Sequence, residues 1–364
     1  MNVELKELET RNLKLEFLFS SFIFRVSSFD YTIRIIYIFL MALSLTMCAI
    51  SAQEVSQRYA LLIGGLGGTP EHKERFQDYL SQARKAFIET FGFAEANVFV
   101  LAGSPANEGD FASEISNAQA ISTQFQQLSE SVTENDDVYI LLFGHGSYNG
   151  KNAVLNIPRR DLKDIDYAAL VNKLNARRIV FINTASCSGP FIKQLSGLNR
   201  IIITATKTGR QRTDTYFPKF LIAAFQTEAA DLNKDSRLSV LEVFKYAAQS
   251  TAKQYADGNH LATEHALLDD SGDAKGVMET KIDESNEGRL ASTTYFTKAA
   301  VSLAANSANP TIARLLTEKQ KVEEKIRDVQ AAKSSYSEAS YFSKLEPLFI
   351  RLAIINDELE SNSN

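Results

Sequence analysis

The sequence predicts an α/β protein: a mostly parallel sheet covered by helices on both sides, followed by a helical hairpin. Three observations predict it. Short apolar runs at 59–63, 97–101, 138–143, 178–183 and 200–205 are β-branched or aromatic, as strands buried on both faces are. Segments with helical spacing of apolar residues lie between them, and strand–helix alternation implies parallel pairing. Beyond Asn309 and Pro310, two long segments carry apolar residues at helical spacing with Glu and Lys outside.

The first 52 residues stand apart. Behind Arg34 runs an uncharged apolar segment, residues 35–52, that ends in small residues. It reads as a secretory signal with cleavage near Ser51 or Ala52. An uncleaved membrane anchor is the alternative, because the run is long enough to span a bilayer. Export, to the periplasm or beyond, follows from the first reading. Cys48 lies inside this segment, so its removal leaves Cys187 unpaired, a candidate reactive thiol.

The strand at 59–63 runs into the glycine cluster 64–68, which lacks the Lys-Ser/Thr ending of a phosphate loop and reads as a turn. Residues 71–91 are amphipathic and helical. After the strand at 97–101, residues 117–132 form a helix with Ile121, Phe125 and Leu128 on one face. The strand at 138–143 stops at Gly144-His145-Gly146-Ser147. Residues 153–157 suit an edge strand or hairpin arm, and 167–174 a helix. The strand at 178–183 gives way to small polar residues around Cys187. A short helix, the strand at 200–205, and helices at 217–228 and 239–256 complete a domain spanning 55–300. The hairpin, 308–364, has Ile312, Leu315, Val322, Ile326 and Val329 on one helix. Leu345, Leu348, Leu352 and Ile355 lie on the other. It suits packing on the domain, or self-association.

Apolar content of 45% and charged content of 23% are those of a globular protein, and a net charge of −5 without basic–aromatic runs speaks against nucleic-acid binding. The chemistry gathers at two strand ends. In open parallel sheets, ligands bind beyond the carboxyl ends of the strands. His145 and Cys187 both fall there. An adjacent imidazole makes a thiol a nucleophile, and flanking glycines free N–H groups for an oxyanion. The plainer readings are a buried small cysteine and a histidine in a turn.

Phe143-Gly-His-Gly-Ser147 followed by Ala185-Ser-Cys-Ser-Gly189 resembles the legumain-like cysteine peptidases, family C13 of the caspase-like clan. The resemblance runs from about residue 59 to 292. It implies a caspase-like three-layer sandwich with a mostly parallel sheet, and a catalytic dyad of His145 and Cys187. Gly146 and Cys187 N–H would be the oxyanion donors, and a polypeptide the substrate. No cofactor is needed for that chemistry. The same acyl-enzyme would serve a transpeptidase, and a catalytically silent calcium-binding module is the alternative from another class.

Two departures bear on specificity. Legumains carry an acid two residues before the cysteine to recognise asparagine; here Ala185 stands there, followed by Ser186. The glycines from Gly64 replace the asparagine that orients the histidine. Residues 206–213 resemble the family's pocket wall, with Arg210 and Arg212 as substrate contacts or as solvated surface.

Asp231, Asn233, Asp235, Arg237 (through its carbonyl), Ser239 and Glu242 fall at the spacing of an EF-hand calcium loop. Ser236 stands where the turn glycine belongs. The alternative is a polar turn in which Ser239 and Glu242 form a capping box. Residues 262–273 end in an acidic turn; His265 there reads as structural.

Overall fold

The computed structural model describes residues 56–104, 114–235, 237–296, 309–331 and 336–363. The expected signal or anchor, 1–52, lies outside them. Among the described residues no helix is long and apolar enough to cross a membrane.

In chain order, β1 (Arg58–Gly64) leads to α1 (Pro70–Lys85), β2 (Val98–Ala102), β3 (Glu114–Ile115) and α2 (Ala118–Ser131). Then come β4 (Asp137–Phe143), β5 (Gly146–Tyr148), β6 (Ala153–Leu155), β7 (Leu162–Lys163), α3 (Asp164–Val171) and β8 (Arg178–Asn183). They are followed by α4 (Phe191–Leu195), β9 (Arg200–Thr204), α5 (Phe217–Gln226), α6 (Val240–Asp257), β10 (Leu267–Asp269) and α7 (Arg289–Ser292). The hairpin is α8 (Pro310–Ala331) and α9 (Glu338–Ser363).

The expected α/β sandwich is present: seven strands in the order β10-β9-β8-β4-β1-β2-β3. All pairings are parallel except β10 with β9. Strand pleating sorts the apolar runs onto two faces. Tyr139, Leu141 and Phe143 of β4 join a core with Phe76, Phe87, Phe217, Leu221, Val243 and Phe244. Val138, Ile140 and Leu142 join the opposite core with Ile121, Phe125, Leu128, Tyr167 and Phe191. The stripe expected on residues 117–132 is the buried one, and Asn117 caps that helix.

β1 has β2 on one side and β4 on the other, so connections diverge between β1 and β4. That is the switch point at which parallel sheets leave a crevice for ligands. Register aligns the strand ends there: Gly64 opposite Phe143, Leu142 opposite Asn183, Asn183 opposite Thr204.

Three details differ from the expectation. The helix at 71–91 closes with a π-helical turn at Ala86–Thr90. The arm at 153–157 is the middle of a three-stranded antiparallel sheet, β5-β6-β7. A strand, β10, follows α6 where none was expected. The hairpin matches its expected seam: Leu315, Val322, Ile326, Leu345 and Ile355 form its small core. Arg237 touches it, its guanidinium 3.5 Å over the Tyr295 ring and 3.7 Å from Glu323.

Candidate active site

The turn after β4 and the turn after β8 come together at one edge. Gly65 N–H donates to Phe143 O at 2.7 Å, closing the crevice between β1 and β4. A Cβ on Gly146 would lie 2.1 Å from Ser186 O, so only glycine allows this approach. Gly146 N–H donates to Ser186 Oγ at 3.1 Å, and that hydroxyl stands 3.1 Å from Gly146 O. The neighbours of His145 and Cys187 are thereby locked to one another.

Cys187 sits at φ +57°, a left-handed conformation that costs a non-glycine residue about 1–2 kcal/mol. Buried polar side chains hold the turn around it. Thr184 Oγ1 donates to Leu142 O at 2.7 Å, and Ala185 N–H to Asn183 Oδ1 at 3.0 Å. Thr206 Oγ1 accepts Gly189 N–H at 3.0 Å and meets Ser188 Oγ at 3.1 Å. A strained residue fixed in this way at a strand end suits a nucleophile.

The His145 ring is three-quarters covered, edge-on to Phe76 and His72. Its Nδ1 lies 3.6 Å from Asp214 Oδ1. Asp214 also pairs with Arg75 and lies 3.5 Å from His72 Nε2. Burial pulls the His145 pKa below the ordinary value; Asp214 opposes this, His72 and Arg75 reinforce it, and a Gly67 main-chain hydrogen bond opposes it weakly. Burial thus favours the neutral imidazole, the form a general base needs.

The thiol departs from the expectation of a thiolate paired with imidazole. Cys187 is only 1% exposed. Burial pushes its pKa up, and the nearby Arg212 charge opposes this. No hydrogen bond joins it to His145 among the described residues. The two expected oxyanion donors both have partners in this state: Gly146 N–H on Ser186 Oγ, and Cys187 N–H on Gln211 O at 2.9 Å.

Gln211 belongs to the 206–213 segment, which crosses the site. Its Oε1 accepts Lys207 N–H at 2.6 Å, and its Nε2 stands 2.6 Å from His265 Nδ1. A Cβ on Gly209 would lie 2.3 Å from the Tyr148 ring, so the segment lies flat on β5. Arg212 Nη2 donates to Tyr148 O at 3.2 Å, whereas Arg210 is exposed. Ala185 and Ser186 are buried beneath, at 1% and 4% exposure.

Sequence reasoning missed the Asp214–His145 relationship and the covering role of Gln211. The signal for the first was faint: His72 and Arg75 stand three apart on α1, on one helical face, and share one acid just before α5.

In the 231–242 loop, Asp231 Oδ1 and Asn233 Oδ1 accept Asp235 N–H at 3.2 and 2.8 Å, and Asp235 Oδ1 accepts Arg237 N–H at 2.9 Å. The capping box forms as well: Glu242 Oε2 accepts Ser239 N–H at 2.9 Å, and Ser239 Oγ accepts Glu242 N–H at 3.2 Å. Glu242 Oε1 accepts Asn233 N–H at 3.3 Å, so one carboxylate closes loop and helix together.

Residues 102–260 match the model of the Peptidase C13 family, a span that contains both His145 and Cys187. No curated protein matches the chain. Among solved structures it is similar to the crystal structure of protein GSU0716 from Geobacter sulfurreducens. The identity there is 12% and the TM-score 0.38, over 53% of this chain and 89% of that one.

Proposed function

From the match of residues 102–260 to the model of the Peptidase C13 family, we propose that this chain is an exported cysteine endopeptidase with His145 and Cys187 as its dyad. The observation that supports it most is the Gly146–Ser186 lock, which holds the turns bearing both residues against each other at the carboxyl ends of β4 and β8.

In the proposed reaction His145 takes the Cys187 proton and the sulfur attacks the peptide carbonyl. Gly146 and Cys187 N–H receive the oxyanion once Ser186 and Gln211 release them. The tetrahedral adduct collapses, the C–N bond breaks, and imidazolium protonates the leaving amine. Water, activated by the now neutral His145, attacks the thioester; the acid leaves and the sulfur regains a proton.

A peptide-library digest with wild type and Cys187→Ala tests this. Cleavage by the wild type alone supports it, and equal or absent cleavage by both under activating conditions refutes it. Products joined to an added amine would instead identify transpeptidation.

Calcium at the 231–242 loop belongs to the same proposal as a structural ion. It is supported by carboxylate and amide oxygens already turned inward on main-chain N–H groups. A calcium-induced rise in melting temperature that is larger in wild type than in Glu242→Asp tests it; equal rises in the two proteins refute it.

A further inference from the structure

β10 ends at Asp269, far along the chain from the dyad. The chain then turns through Asp270, Ser271, Gly272 (φ +80°) and Asp273, and Glu287 comes back to the same turn. One carboxylate oxygen from each of Asp269, Asp273 and Glu287 lies within 4.8 Å of the others. Asp269 is 0% and Glu287 7% exposed, while Asp273 reaches solvent.

Most of the surrounding oxygens have donors. Glu287 Oε2 accepts Asp270 N–H and Ser271 N–H at 2.5 and 2.9 Å, and Oε1 accepts the Ser271 hydroxyl at 2.6 Å. Asp270 caps α7, accepting Gly288 N–H and Ala291 N–H, each at 2.7 Å. Asp269 Oδ1 accepts Gly272 N–H at 3.2 Å.

Asp269 Oδ2 is different. It is buried and has no hydrogen-bond partner. The Ser196 hydroxyl, which accepts Ala274 N–H at 3.0 Å, is the nearby side-chain donor that favours the ionised form of Asp269, but it falls outside hydrogen-bond geometry to Oδ2. Nor is the charge balanced. Among the described residues, the ion pair at these acids is Lys275 with Asp273, 3.9 Å apart at the surface. Burial pushes both the Asp269 and the Asp270 carboxyls up. A buried carboxylate oxygen without a donor is costly, and buried charges are otherwise paired or bound to metal.

The donor set is all oxygen, which selects a hard cation. Two calcium–oxygen bonds of about 2.4 Å span about 4.8 Å, so the three oxygens fit within one such coordination sphere. We propose that Asp269, Asp273 and Glu287 form a binding site for a divalent cation of calcium type, with Asp269 Oδ2 as its buried ligand. The ion ties the edge strand β10 to the start of α7. The site is separate from the 231–242 loop and independent of the peptidase reading.

The test uses the full chain carrying Cys187→Ala and Glu242→Gln, which removes thiol chemistry and the other calcium candidate. After stripping with chelator, calcium chloride is titrated by calorimetry and by thermal melting at constant ionic strength. One calcium per chain and a melting temperature several degrees higher are expected. Adding the exposed change Asp273→Asn, or Asp273→Ser as a second variant, should weaken binding at least tenfold while leaving the far-ultraviolet circular dichroism unchanged. Absence of heat and of any calcium-dependent shift overturns the site, as does unaltered binding in both Asp273 variants.

Discussion

The main-chain N–H of Cys187 donates to the main-chain carbonyl of Gln211 at 2.9 Å. That carbonyl occupies the donor a substrate oxyanion would need, above a thiol that is 1% exposed. Arg212 on Tyr148 O and Gly209 under the Tyr148 ring hold the same segment down. For the proposed peptidase this arrangement would be a closed state, and turnover would require residues 206–213 to lift.

The lift is opposed by the Gln211 side chain, which binds Lys207 N–H and faces His265. Each such bond contributes about 1 kcal/mol net. Gln211→Ala should therefore speed labelling of Cys187 by a peptidyl electrophile about fivefold to thirtyfold. An unchanged rate would show that the segment does not gate the thiol.

The thiol of the closed state should be sluggish near neutrality. Burial raises its pKa and Arg212 lowers it. The alkylation rate with iodoacetamide should climb only at alkaline pH. Arg212→Ala should move that rise to still higher pH, and Arg212→Lys should largely restore it. A downward shift in the alanine variant would contradict the assignment of the Arg212 charge.

Asp214 positions His145 and favours its protonated form. Replacing it with Asn lowers the imidazole pKa further, so the acidic limb of kcat/KM should move to lower pH. Loss of orientation should reduce kcat about tenfold to a hundredfold. A lower rate with an unmoved limb would mean that only Arg75 and the fold had been disturbed.

Ala185, buried at 1% exposure, offers no acceptor for a substrate amide. Asp214, the acid that could substitute, already holds Arg75. Leaving an amide without a partner costs about 1–3 kcal/mol. Cuts after asparagine should accordingly be a minority in a proteome-derived peptide digest; a majority would show that Asp214 leaves Arg75 to accept the amide.

Glu264 is buried, and burial pushes its carboxyl up to about 7 despite Tyr216 N–H, Phe217 N–H and Tyr255 OH. The folded chain thus holds a proton there that the unfolded chain releases near 4.5. Stability from this group is fully present below pH 4.5 and is lost as pH rises through 7, by about 3 kcal/mol. Unfolding by urea at pH 5, 6 and 7 should show that decline in wild type and a shallower one in Glu264→Gln. Parallel declines would assign the slope to other groups.

The sheet and the strand ends that carry His145 and Cys187 were readable because their signals are local. A buried strand is a short apolar run, and His145 and Cys187 each follow one directly. What surrounds them was not readable, because Asp214, Arg75 and Gln211 arrive from distant segments with no period linking them to His145. The covering contact is made by main chain, which carries no residue code. β10 escaped because Leu267–Asp269 is three residues long and pairs at a sheet edge. The capping box and the calcium spacing at Glu242 were both legible, since the same carboxylate satisfies both patterns.

Arg237 follows the 231–235 turn, lies over Tyr295 and meets Glu323 of the hairpin. Among the described residues the hairpin's own core has five buried side chains, so it should be a low-stability cooperative unit whose amides exchange with solvent well before those of β1, β4 and β8. Coupling through Arg237 runs both ways. Ordering of the 231–242 loop should therefore slow exchange in α8, and a partner that seizes the hairpin from outside should stiffen that loop.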